Sequence, residues 1–140
     1  MALNILGSVT IDATAFYSNN VLADVTGSTL VVVLNKSTQV LILASARSFI
    51  MGDEIPLDGR ETFGRFGFSV DSGAGAVDYD GVLAQHDVIG STQGYSRFPA
   101  MFYQILTLAA GTHTIKLRGK TQNGTVTGSI EPPIRLTVIG

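Results

Sequence analysis

Two neighbouring apolar runs constrain the fold of this 140-residue chain more than any other feature. Leu30–Leu34 reads Leu-Val-Val-Val-Leu, and residues 40–43 read Val-Leu-Ile-Leu after the polar segment 35–38. β-Branched residues at this density disfavour a helix, and runs this short are typical of strands. The sequence therefore predicts two strands here, joined as a β-hairpin.

Neither run alternates between apolar and polar residues, as a strand with one solvated face does. Both faces of these strands must therefore be covered. One face can lie in the core of the domain, and the other needs either a covering loop or a neighbouring subunit. Charged residues make up only 14% of the chain, against about 25% in typical domains. Because the sequence offers no long helix as a cover, we favour the subunit.

The remaining sequence repeats the pattern of short apolar runs separated by turn residues. Phe66, Phe68 and Val70 share one face of an alternating segment, and a long apolar run begins at Met101. About eight to ten strands fit this spacing. We predict an all-β fold, a two-sheet antiparallel β-sandwich of jelly-roll type, with residues 1–140 as one domain and residues 1–6 as an N-terminal arm.

The arm and the early strands carry apolar side chains that one sandwich cannot cover by itself. They form a candidate interface with other subunits or another protein of the same assembly: Leu3, Ile5, Leu6, Val31, Val33, Leu41 and Leu43.

Two polar segments, 71–81 and 90–97, are predicted loops that carry exposed tyrosines. Loop tyrosines are frequent at contact surfaces, and a host-surface glycan is one partner they could bind. The alternative is that they only cap the sandwich. The candidate outward contact residues are Asp78, Tyr79, Asp80, Tyr95 and Arg97.

Few residues in the chain could support catalysis. There is no cysteine, which excludes disulfides and thiolate sites. His86 and His113 belong to no HExxH or HxH motif, and no serine lies in a GxSxG turn. His113 shares an apolar strand face with Ile115 and Leu117, so we interpret it as a hydrogen-bonded structural histidine. We predict no catalytic site and no cofactor.

Asp71, Asp78 and Asp80 place carboxylates in one Gly-rich segment, where they could attract calcium. The segment lacks the EF-hand pattern, and aspartate and glycine are also the usual residues of turns. We therefore predict no metal site.

The charge pattern limits the classes of partner. The net charge is -2, which gives no sign of a nucleic-acid partner. No apolar run reaches the roughly 18 residues that span a bilayer, so no membrane insertion is expected. The first basic residue is Lys36, so the start of the chain lacks the basic region of a signal peptide. Lys116, Arg118 and Lys120, with Arg135 expected nearby, form a stripe that either is solvated or contacts an acidic partner.

The C-terminal third carries the most specific pattern. Residues 98–140 contain a long strand, then Leu-x-x-Gly-Thr-His-Thr-Ile-Lys-Leu, a Gly/Thr-rich segment and a closing Leu-Thr-Val-Ile. This arrangement resembles the end of jelly-roll domains in bacteriophage structural and tail proteins, which are similar in turn to trimeric sandwiches of the tumour-necrosis-factor type. The resemblance extends over residues 62–140. It implies a homotrimer packed through apolar sheet faces, without catalysis and without an obligatory cofactor.

Phage proteins of this type are capsid decoration proteins or receptor-binding heads of tail fibres. The chain has no heptads and no Gly-X-Y tract, which favours decoration over a fibre head. The resemblance therefore implies a homotrimeric capsid decoration (cement) protein that stabilises the phage head. Its partners would be itself and the major capsid protein or another virion protein, and it would be made in the host cytoplasm. The alternative is a receptor- or glycan-binding head of a tail fibre.

Overall fold

The computed structural model describes residues 3–17, 23–52, 62–71, 77–86, 95–122 and 128–140. The described residues form ten strands: β1 Ile5–Ile11, β2 Ala15–Tyr17, β3 Ala23–Asp24, β4 Leu30–Leu34, β5 Thr38–Gly52, β6 Thr62–Val70, β7 Val77–His86, β8 Tyr95–Leu108, β9 Gly111–Gln122 and β10 Gly128–Ile139. Among these residues there is no helix long and apolar enough to cross a bilayer.

The strands form two antiparallel sheets. Sheet I has the order β1-β10-β5-β8, with β2 also paired to β10. Sheet II has the order β3-β9-β6-β7, with β4 also paired to β9. The predicted all-β, two-sheet antiparallel sandwich is confirmed.

The pairing of the eight main strands is nested. The first pairs with the last (β1 with β10), the second with the second-last (β4 with β9), and so on inward through β5 with β8 to β6 with β7. A long antiparallel hairpin that is rolled up into two sheets gives this pattern, which defines a jelly roll. The fold assignment therefore follows from the connectivity of this chain alone.

Alternate residues of each sheet fill the space between them. Ile42 of sheet I and Phe66 and Ile115 of sheet II are fully buried. The rings of Phe68 in β6 and Phe102 in β8 lie 5.7 Å apart at 51° and join the two layers. Burial of each large side chain contributes about 1.5–3 kcal/mol, which holds the two sheets face to face without a disulfide.

The predicted hairpin between the first two apolar runs is wrong. β4 pairs with β9 in sheet II, whereas β5 pairs with β10 and β8 in sheet I. The segment 35–37 therefore connects the two sheets instead of reversing the chain within one. Both strands direct alternate residues into the core, such as Val32 and Val40, and this alternation is the same for a hairpin and for a crossing between sheets.

The predicted N-terminal arm is part of sheet I from Asn4 onward. The Asn4 amide donates to the Gly140 carbonyl at 2.8 Å, and the Gly140 amide donates to the Asn4 carbonyl at 2.9 Å. Ile5 then pairs with Ile139. Backbone groups at the edge of a sheet bond the nearest extended chain, and the C-terminus of β10 supplies that chain here.

Both predicted contact loops are shorter than the sequence indicated. β7 begins at Val77, so Asp78, Tyr79 and Asp80 lie in a strand that pairs with β6. β8 begins at Tyr95, so Tyr95 and Arg97 also lie in a strand. Antiparallel pairing with a long neighbouring strand overrides the turn preference of Asp and Gly in these segments.

Candidate functional site

The outer face of sheet I carries an unusual surface of apolar side chains. In register across the four strands, one row contains Ile5, Ile139, Leu41 and Ile105. The next row contains Ser8, Thr137, Leu43 and Tyr103, and a third contains Thr10, Arg135, Ser45 and Met101. We call these three rows the apolar face. Its first two rows contain no charged residue.

Several large side chains of the apolar face are exposed. Ile5 is 70% exposed, Tyr103 60% and Ile105 56%. Exposed apolar side chains that adjoin one another mark interaction sites on soluble proteins, whereas scattered ones need no explanation. Ile139 and Leu41 lie in register between Ile5 and Ile105, so the row is continuous from one edge of the sheet to the other.

The few polar groups of the apolar face suit it for burial. The hydroxyls of Ser8 and Thr137 lie 3.1 Å apart and satisfy each other, so covering them costs less than covering free hydroxyls. The exposed Arg135 lies in the outermost of the three rows. An apolar centre with charge at its margin is the usual anatomy of a protein–protein interface.

The structure separates the predicted interface residues into groups. Ile5, Leu41 and Leu43 lie on the apolar face. Leu3, which is 76% exposed, precedes Ile5 by two residues and so has the same side-chain direction in an extended chain. Leu6 instead packs over Gly140, where a Cβ would lie 2.7 Å from its Cδ1 atom. These five residues are all near one end of sheet I.

Val31 and Val33 lie on the opposite side of the molecule. They are 55% and 67% exposed on β4, in sheet II, opposite Thr114 and Thr112 of β9. No residue in the described part of the chain covers them. The seven predicted interface residues therefore cannot all belong to one flat contact.

Four large apolar residues of the apolar face were not predicted from the sequence: Met101, Tyr103, Ile105 and Ile139. The signal was present in β8, because residues 101–106 are apolar at both odd and even positions except for Gln104. Applied to β8, the reasoning used for Leu30–Leu34 would have identified a third strand with both faces apolar.

The outer face of sheet II is polar by comparison. Asp24 of β3 lies between two cations of β9, with its carboxylate 3.0 Å from the Lys116 amine and 3.2 Å from the Arg118 guanidinium. The predicted basic stripe is thus partly neutralised within the chain. Arg135, expected beside it, lies in sheet I.

His113 is a hydrogen-bonded structural residue, as predicted. Its Nδ1 atom lies 3.1 Å from the Asp71 carboxylate and its Nε2 atom 3.0 Å from the Ala109 carbonyl. The other carboxylate oxygen of Asp71 accepts a bond from the Thr114 amide. The acceptor at Ala109, and secondarily Asp71, raises the pKa of His113 above its usual 6.5, while partial burial opposes the shift.

Asp71 occupies the left-handed region, with a φ of 57°. Aspartate tolerates this conformation because its short carboxylate bonds nearby backbone. Asp71 therefore ends β6 and connects it to β9 and the β8–β9 turn, which is a structural role.

The other predicted site residues lie in described strands, but their side chains are outside the described part. These are His86, Asp78, Tyr79, Asp80, Tyr95 and Arg97. Their outward contact role stays a prediction. Within the described residues, no group of three or more His, Asp or Glu side chains could hold a metal ion.

Comparisons with known proteins give only distant similarity. No family model matches the chain, and no curated protein matches it. Eiger TNF from S. frugiperda is similar in structure at 12% identity and a TM-score of 0.40, with 93% of this chain and 91% of that chain covered. A pentameric capsid protein isolated from metagenomic phage sequences is similar at 16% identity and a TM-score of 0.24, with 81% of this chain and 62% of that chain covered. Neither protein is named as an enzyme. Both scores are low, and the jelly-roll assignment rests on the nested strand pairing of this chain.

Proposed function

We propose that this chain is a non-enzymatic structural protein that assembles as a homotrimer through the apolar face of sheet I. The observation that carries the proposal is the pair of uncharged rows that crosses all four strands of that sheet. A surface of this kind is unfavourable in water and is stabilised when another apolar surface covers it.

A second copy of the same chain is the occupant that this surface fits best. A cover for two uncharged rows must itself be apolar, and the apolar face meets that requirement in every copy. The low charged fraction of the whole chain, 14%, also suits a protein whose surface is partly buried in an oligomer. The threefold symmetry follows from the sequence resemblance to trimeric sandwiches.

Within that assembly, we propose the role of a capsid decoration protein on a bacteriophage head. The resemblance of residues 62–140 to phage jelly-roll proteins supports this role. Each of the three copies would make a weak contact with neighbouring capsid proteins. Because the three contacts are linked within one trimer, the trimer would bind the capsid more tightly than a single copy does.

Solution mass, measured by light scattering at low micromolar concentration, tests the assembly. We expect a mass near three times 14.7 kDa. Tyr103→Glu places a charge in the second row of the apolar face and should reduce the mass to that of one chain. Thr112→Glu, on the outer face of sheet II, is the matched control and should leave the mass unchanged. A single-chain mass for the unmodified protein would contradict the proposal.

Binding to capsids tests the decoration role separately. Deletion of residues 1–3 shortens the proposed arm without removing a described strand pair, since pairing begins at Asn4. We expect trimers that no longer bind capsids lacking the decoration protein. Unchanged capsid binding would contradict the arm, and failure of the intact protein to bind capsids would contradict decoration.

A receptor- or glycan-binding head remains the alternative. It depends on the predicted cluster at Asp78, Tyr79, Asp80, Tyr95 and Arg97. A cell-binding assay distinguishes the two roles, because Tyr79→Ala and Tyr95→Ala should weaken binding to cells only if the alternative is correct.

A further inference from the structure

The edge strand β4 has a sequence that reads the same in both directions. Leu30–Leu34 is Leu-Val-Val-Val-Leu, with Val32 at its centre. Among the described residues its ladder partner is β9, on one side only. An edge strand presents backbone donors and acceptors along its other side, and these groups fit another extended chain.

Four of the edge strands, β1, β4, β7 and β8, have five or more residues, and they differ in how well they are protected against such pairing. β1 has a register shift between Ile5 and Gly7, and β8 contains Pro99. β7 carries Asp78 and Asp80. Register shifts, prolines and charges are the common devices that prevent edge-to-edge association. β4 contains no charge, proline, glycine or register shift, so it is the unprotected edge.

We propose that two copies of this chain pair through β4, antiparallel and about a twofold axis at Val32, so that sheet II continues from one copy into the other. The contact is isologous, which means that the same residues are used on both sides. It uses neither the residues nor the sheet of the trimer contact, and it does not depend on that proposal.

The palindrome and the burial pattern make this pairing self-complementary. Pairing about Val32 sets Val31 of each copy opposite Val33 of the other, and Leu30 opposite Leu34. Val31 and Val33 are exposed in each chain, whereas Val32 and Leu34 are buried. The four exposed valines therefore meet on one face, and the inward residues continue the core. Directly opposed β-branched pairs stabilise antiparallel sheets.

Each trimer would carry three β4 edges, so the pairing would link trimers to one another. Because the strand has only five residues, we expect the contact to be weaker than the trimer contact and to appear as the concentration is raised. The mass should then rise above that of the trimer.

Cysteine cross-linking tests the register directly, since the natural chain has no cysteine. In the double variant Val31→Cys/Val33→Cys, each introduced thiol faces its partner across the axis, within reach of a disulfide. In either single variant, the thiol faces a valine, and the nearest thiol is a diagonal neighbour beyond disulfide reach. We expect covalent dimers from the double variant under mild oxidation and none from the single variants.

The outcomes decide between this pairing and its alternatives. Absence of cross-linking in the double variant, or equal cross-linking in all three variants, would overturn the proposal. Circular dichroism confirms that each variant is folded.

Two further variants separate this contact from the trimer contact. Val31→Lys/Val33→Lys opposes like charges across the axis and should leave a trimer whose mass no longer rises at high concentration. Tyr103→Glu should leave a species of two chains at the same concentration. If the Tyr103→Glu variant has the mass of a single chain at that high concentration, the β4 contact is contradicted, whether or not the unmodified protein forms a trimer.

Discussion

The outer faces of the two sheets differ although both belong to strands with the same inward alternation. The face of sheet I presents two uncharged rows that include Leu41, Leu43 and Tyr103. The face of sheet II carries Lys116 and Arg118 on either side of Asp24. Both sheets bury the same kind of side chain on their inner faces, so the core does not account for the difference.

We interpret the charged face as adapted to solvent and the apolar face as the contact surface proposed above. Charged pairs at a surface keep a sheet face hydrated and contribute little to stability. An apolar face gains free energy only when it is covered. Four predictions, ordered by the size of the expected effect, test this distinction.

The largest effect is expected from a charge in the centre of the apolar face. Leu43 lies between Thr137 and Tyr103, and Leu43→Lys would bury an unpaired ammonium in the proposed trimer. The unmodified protein should show a melting temperature that rises with protein concentration, since association stabilises the folded state. At low micromolar concentration, where the weaker β4 contact is not expected to form, the variant should lose that dependence.

The matched control for this prediction is Thr112→Lys, which adds the same charge to the outer face of sheet II. It should keep the concentration dependence. If both variants keep the concentration dependence of the melting temperature, the apolar face of sheet I is not the contact between subunits.

A smaller effect is expected from the charged cluster of sheet II. Asp24→Asn removes both ion pairs and leaves two neighbouring cations, which should lower the free energy of unfolding by about 1 kcal/mol. The Asp24 side chain is 44% exposed, so the loss should shrink in high salt. Urea unfolding in the Leu43→Lys background at low micromolar concentration measures it without a contribution from association. Asp12→Asn, an exposed carboxylate outside the cluster, is the control and should have no comparable effect.

The third prediction concerns pH. The pKa of His113 is raised in the folded protein, so the folded state binds the proton more tightly than the unfolded state does. This contribution to stability is complete below about pH 6.5, the unfolded value. It is lost as the pH rises through the folded pKa.

Urea unfolding at pH values from about 6 to about 9 measures the change. His113→Gln should remove this fall in stability with rising pH. Asp71→Asn keeps acceptor and donor groups at that position but removes the charge that helps to raise the His113 pKa. This variant should show a smaller decrease in the free energy of unfolding as the pH rises. A pH dependence that is the same in all three proteins would show that another group is responsible.

The smallest effect is expected from the hydroxyl pair on the apolar face. Thr137→Val leaves the Ser8 hydroxyl without its 3.1 Å partner, which should weaken association by a few-fold, equivalent to less than about 1 kcal/mol. Adding Ser8→Ala should restore association. Sedimentation at a series of concentrations measures both. If neither variant changes association, these hydroxyls stay in contact with water.

The strands themselves could be predicted from the sequence, but their assignment to sheets could not. The alternation of Phe66, Phe68 and Val70 identified the buried face of β6. The polar segment between them placed Leu30–Leu34 and residues 40–43 in one hairpin, whereas they belong to different sheets. Alternation reports which side chains face inward and carries no information about which strand lies alongside.

The candidate site was predicted in part for the same reason. Leu41 and Val31 both stood out as apolar residues on the second face of a strand. Only the fold shows that Leu41 joins Tyr103 on sheet I while Val31 lies on sheet II. Tyr103 was missed because the apolar residues on both faces of segment 101–106 were not recognised, but its neighbours on the apolar face are known only from the fold.

The sequence by itself determined the fold class of this protein, because short apolar runs without a helical period favour a β-sandwich. The low fraction of charged residues also predicted that part of its surface would be apolar. The sequence also determined that His113 is structural, since the residue shares its strand face with buried Ile115 and Leu117. Tertiary structure alone decided the nested strand order, and with it the division of the exposed apolar residues between the face of sheet I and the edge of sheet II. The physical reason is that local patterns fix the direction of each side chain, whereas the partner of each strand depends on contacts between residues far apart in the sequence.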